Sequence, residues 1–187
     1  MTAANTSSEV AFHEAGHVVI AWLLGRGEEI QHIDTSGNDS NLAFVRFASR
    51  RSYPSRLDLI QNLSIDLAGP RASGRVIDDD DWVATLWDSG EGDIEGTDLH
   101  SAFRSAMVLR PRSPAKLIGR VASWVEELFS IPRVWSVVVA VAEAVAGGNL
   151  IDGRVLVSIM DHSWGKCSTE PICDLGRKWR RRFMDCR

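Results

Sequence analysis

The residues with the clearest chemical potential stand near the N-terminus, where His13-Glu14-Ala15-Gly16-His17 reads H-E-x-x-H. On a helix, positions i and i+4 lie one above the other on one face, so both imidazoles can reach a single metal ion. Zinc accepts imidazole nitrogen at close range and, in catalytic sites, keeps a fourth position for water. A glutamate beside the first histidine can take a proton from that water, as metal-assisted peptide hydrolysis requires. His13 and His17 are therefore expected as metal ligands and Glu14 as general base. This holds if a helix carries them and a third protein ligand joins them.

A helix is what the surrounding residues predict. Thr6 and Glu9 form a T-x-x-E capping pattern, no proline interrupts Val10–Leu24, and Gly25 is placed to end the helix. The run Val18-Val19-Ile20-Ala21-Trp22-Leu23-Leu24 is apolar on every side, which predicts a buried helix. Ionisable side chains on such a helix need partners, because an unpaired buried charge is costly, and a metal ion supplies one.

Downstream, Ile30–Thr35 and Leu42–Ser49 read as two strands around the turn residues Gly37-Asn38-Asp39-Ser40. Ser55 and Asp58 open a second helix, which Pro70 is expected to end or kink near Gly69. Leu99, Ala102, Phe103, Ala106 and Met107 repeat with helical spacing, with Thr97 as N-cap and Pro111 beyond the end. Asp98 then falls in the first turn, where the helix dipole favours its ionised form. Helices are expected over about 113–129, 132–146 and 152–160, with Gly147-Gly148 as a break. The fold class is mainly α with a small β-sheet. The acidic run Asp78-Asp79-Asp80-Asp81 lacks the alternation and glycine of a calcium loop and reads as solvated.

Composition sets the outer bounds. The chain has 187 residues, 44% hydrophobic and 25% charged, with a net charge of -4, as expected of a globular domain without general affinity for nucleic acid. No signal-peptide pattern or membrane-spanning run is apparent. Cys167, Cys173 and Cys186 all lie in the C-terminal tail, too few and too local for a disulfide framework, so a cytoplasmic setting is expected. Residues 162–187 differ in character, with the basic run Gly176-Arg177-Lys178-Trp179-Arg180-Arg181-Arg182. They are read as an extension of a domain spanning 1–161, with a solvated basic face.

Candidates for the third ligand include His32, Asp93, Asp98, His100 and His162. The metzincin pattern is excluded, because Ile20 and Leu23 stand where it needs Gly and His. Asp98 and His100 lie about 200° apart around a helix, so they cannot both face one metal.

Ala11-Phe12-His13-Glu14-Ala15-Gly16-His17 is similar to the motif that opens the peptidase domain of the FtsH-type ATP-dependent zinc metalloproteases. Leu67-Ala68-Gly69 with Arg71-Ala72 resembles that family's L-A-G-R-A-A segment, interrupted here by Pro70. Thr97-Asp98-Leu99-His100-Ser101-Ala102 with Ala106-Met107-Val108 resembles the stretch that carries its third zinc ligand. Val138–Met160 looks like its closing segment. The resemblance covers about residues 7–160 and implies a zincin-like fold with zinc on His13, His17 and Asp98. It also implies a metalloendopeptidase acting on unfolded or flexible protein segments, which would lie along the edge of the small sheet. No G-x-x-x-x-G-K-[ST] loop occurs in the sequence, so the chain is expected to work without its own ATPase, or beside a separate one. A zinc-holding adaptor or regulatory module is the alternative.

Overall fold

The apolar run behind the two histidines becomes the central helix. A computed structural model of the chain describes residues 3–35, 44–48, 54–77, 97–147 and 150–167, with Lys178 and Arg181. Helix α1 spans Ala3–Leu23, and every residue from Val18 to Leu24 is buried. It starts ahead of Thr6, the expected cap, because Ala3 and Ala4 are strong helix formers and extend it. It ends as expected at Gly25, whose φ of 78° is left-handed. There the Gly25 amide bonds the Trp22 carbonyl and the Arg26 amide the Ala21 carbonyl, both at 2.9 Å.

Strands β1 (Ile30–Asp34), β2 (Phe44–Phe47) and β3 (Leu150–Asp152) form an antiparallel sheet in the order β2-β1-β3. The first two fall where the alternation places them. The third was not expected: it is three residues long, too short to show a period, and it exists through pairing such as Ile33 opposite Ile151.

Helix α2 (Arg56–Ile77) opens with the reciprocal cap, the Asp58 amide on Ser55 Oγ at 3.2 Å and the Ser55 amide on Asp58 Oδ2 at 2.8 Å. Pro70, expected to end or kink the helix near Gly69, stands inside it and does not end it. Leu63, Leu67 and Ala68 before the proline and Ala72 after it are buried in one core, and that packing outweighs the lost amide. α1 and α2 make the most extensive helix pair. Gly16 permits the approach: a Cβ there would stand 2.8 Å from the Ala72 Cβ and nearer still to the Ala68 carbonyl oxygen.

Helix α3 (Asp98–Leu109) is capped by Thr97, whose hydroxyl accepts from the His100 amide. Its buried positions are Ala102, Ser105 and Ala106, while Met107, expected inside, is 40% exposed. The inward face is turned toward the flank that carries Asp98. Helices α4 (Pro114–Phe129) and α5 (Pro132–Val145) each begin on a proline whose missing amide needs no partner there. They meet at 88°, and no single described helix is long and apolar enough to cross a membrane. α4 packs on α2, and α5 on α1.

Helix α6 (Gly153–Cys167) continues beyond the Met160 end expected for it and past residue 161. Trp164 is buried there, edge-on to Trp22 at 5.8 Å, and the Trp22 indole donates to Asp161 Oδ1 at 3.0 Å. Residues 162–167 thus continue a helix of the core. The expected turn at 37–40, the acidic run 78–81, Asp93, Cys173, Cys186 and most of the basic run lie outside the described residues.

Candidate metal centre

Three helices converge on one point. α1 carries His13 and His17 a turn apart, with ring centroids 4.9 Å from each other. α3 brings Asp98 from 85 residues away, and α2 supplies the wall behind them. Asp98 Oδ2 lies 2.8 Å from His13 Nε2 and 3.1 Å from His17 Nε2. The three donor atoms all lie within 4.8 Å of one another and can hold a metal ion. Donor atoms around a small divalent ion stand roughly 3–4 Å apart, so the observed spacing fits one.

The surroundings of His17 fit as well. His17 Nδ1 donates to the Ile65 carbonyl of α2 at 2.7 Å. That bond turns Nε2, the other ring nitrogen, toward Asp98, the arrangement typical of a metal-binding imidazole. Facing a carboxylate oxygen, Nε2 needs either a second ring proton or a cation. One oxygen between two such nitrogens is a place for a cation.

Electrostatics sharpen this. Burial works against the charged form of His17, but Asp98 outweighs it and raises its pKa to about 9. Burial likewise opposes ionisation of Asp98, and His17 and His13 overcome it, holding the carboxyl well below the usual range. The acid is therefore ionised at neutral pH, ready as a ligand. Glu14 is 5% exposed. Burial raises its pKa, against the pull of His17 and His13 and a hydrogen bond from the Val45 amide of β2. A carboxylate so raised is a better proton acceptor near neutrality.

The cluster is not sealed: the side chains of His13 and Asp98 are 29% and 36% exposed, against 7% for His17. Access is from the His13–Asp98 side, with β2 beside it. In β2 the amides alternate between the partner strand and the open edge. The Val45 amide is bonded to Glu14, and among the described residues β2 has no strand partner on the side away from β1.

Other candidate ligands are elsewhere. His32, on β1, packs against Phe44 with ring centroids 6.0 Å apart. His100 lies on α3 outside the cluster, and His162 is exposed on α6. Sequence reasoning missed three contributors: the Ile65 carbonyl, the Val45 amide and Gly69, whose position touches both imidazoles. Backbone groups leave no mark in residue type. A glycine inside a helical pattern does, and it signals close approach. Compared with known proteins, the chain matches no protein-family model and no curated sequence.

Proposed function

We propose that the chain is a zinc-dependent metalloendopeptidase with a zincin-like fold, similar to the peptidase domain of FtsH-type proteases, cleaving unfolded or flexible protein segments. The observation that carries this reading is the meeting of His13, His17 and Asp98 with a buried glutamate, Glu14, next in sequence to the first ligand. A purely structural zinc site normally closes its fourth position with another protein ligand and has no use for such a glutamate. Two imidazoles and one carboxylate, with one side open to solvent, are the donor set of a catalytic site.

His13, His17 and Asp98 would hold the ion. Zinc bound there supplies Lewis acidity, polarising a peptide carbonyl and making water more acidic. Glu14 takes the proton from the attacking water at its carboxylate and passes it to the leaving amine. The Val45 amide orients that carboxylate. A substrate segment adds to the open edge of β2 as an extended strand, and backbone pairing holds it with little regard for side chains. The exposed Phe44 and Arg46 border that strand.

The test is Glu14→Gln, compared with wild type for zinc content and hydrolysis of unfolded casein. Zinc retained and hydrolysis lost is the expected result, and full hydrolysis removes Glu14 from the role of base. Zinc without cleavage in the wild type would favour the adaptor or regulatory module.

A further inference from the structure

Among the described glycines, Gly69 is the one that stands against both imidazoles of the cluster. A Cβ built on Gly69 would lie 2.7 Å from His13 Nε2, 2.6 Å from His17 Cε1 and closer still to His17 Nε2. Zinc sits about 2.0–2.1 Å from each imidazole nitrogen that binds it. A methyl group at position 69 would thus overlap both imidazoles and displace the nitrogens that would bind the ion. The three atoms nearest to it all belong to the imidazoles.

Gly69 stands before Pro70 inside α2, and the proline ring disfavours a Cβ on a helical residue ahead of it, so the backbone already gives one reason for glycine here. The cluster gives a second: the atoms nearest to a Cβ at 69 belong to His13 and His17. One turn earlier on the same helix, the Ile65 carbonyl holds His17 Nδ1. α2 thus contributes no ligand side chain, yet it aims one imidazole from residue 65 and leaves room for both rings at residue 69.

We propose that Gly69 is a positioning residue of the metal centre: its missing side chain leaves room for both imidazoles to face one ion, and any larger residue displaces them and weakens metal binding while leaving the fold intact. This rests on the metal centre described above, but not on the peptidase reading.

The experiment is Gly69→Ala in the full chain, with zinc alone as probe and cobalt as a spectroscopic substitute. Affinity is read by calorimetry and site geometry by cobalt absorption. Loss of an outer partner of a ligand costs about 10–100-fold in metal affinity. Displacement of two ligands at once should cost more than about 100-fold, with helical circular dichroism of the metal-free protein unchanged. Wild-type zinc affinity and cobalt spectrum in Gly69→Ala would overturn the proposal.

A second arm covers loss of folding. In a His13→Ala/His17→Ala background the nearest atoms are gone and only the strain of a Cβ before Pro70 remains, so adding Gly69→Ala should lower Tm less than it does in the wild type. An equal loss of Tm in both backgrounds would show that Gly69 makes room for something other than the imidazoles, and the proposal would fall. Wild type that binds zinc without cleaving peptides would overturn the peptidase reading and leave this proposal to its own test. Wild type that binds neither zinc nor cobalt would overturn it together with the metal centre.

Discussion

Two polar groups lie where α1 meets its neighbours, and the two differ in kind. Beyond the C-terminal end of α1, Arg26 forms a fork with the Glu29 carboxylate, and its Nη1 donates to Asn62 Oδ1 at 2.7 Å. Donors there meet acceptors, and charge is cancelled inside the group. Near the middle of α1, His13, His17 and Asp98 turn ligand atoms toward one point, and the donors they have are protons on imidazole. The first arrangement is complete as it stands and fastens a loop to a helix. The second becomes complete only with a proton or a metal cation, and so it can respond to a ligand.

The largest expected effect breaks this contrast from the metal side. Asp98→Ala should remove zinc and hydrolysis together, whereas Arg26→Met should leave zinc content at the wild-type level; elemental analysis of both purified proteins decides. Next comes Glu14→Gln, with hydrolysis reduced about 10²–10⁴-fold at unchanged zinc. Steady-state cleavage assays read that loss directly.

A pH dependence sharpens the comparison further. In the metal-free protein His17 keeps its proton up to about pH 9. Zinc must displace that proton, so affinity should fall about tenfold for each pH unit below 9 and binding should release protons, measurable by calorimetry in buffers of different ionisation enthalpy. The linked stability has a definite sign. His17 is raised in the folded state, so its contribution is full below the unfolded pKa of about 6.5 and is lost as pH rises through about 9. Urea midpoints of the metal-free protein should therefore fall between pH 7 and 10, and His17→Gln should flatten that fall.

Smaller effects belong to the structural sites. Arg26→Met should cost about 1–2 kcal/mol of stability, a modest loss because the Glu29 side chain is 40% exposed and water screens the pair. Ser55→Ala, which removes the reciprocal cap of α2, should cost about 1 kcal/mol. Chemical denaturation with zinc content held constant measures both.

Much of the local structure was legible in the residues themselves. The stop at Gly25, the caps at Ser55 and Thr97, and the starts at Pro114 and Pro132 depend on neighbours within a turn, and each appears where the pattern places it. Propensity failed where burial or pairing overrode it. α2 runs through Pro70 because apolar residues on both sides share one core, and β3 exists because β1 offers it a partner. Met107 is exposed because α3 turns its Asp98 flank inward, a choice that packing makes between two adjacent stripes of one helix.

The sequence alone determined the donor types and their spacing on α1, since side chains one turn apart share a face in any helix. It also settled that Asp98 and His100 could not serve one ion together. Only the tertiary structure decided which distant carboxylate meets the histidines, that Ile65 aims His17, and that the gap at Gly69 faces two ring nitrogens. Those are distances between separate helices. They follow from how the helices pack, which no single stretch of residues encodes.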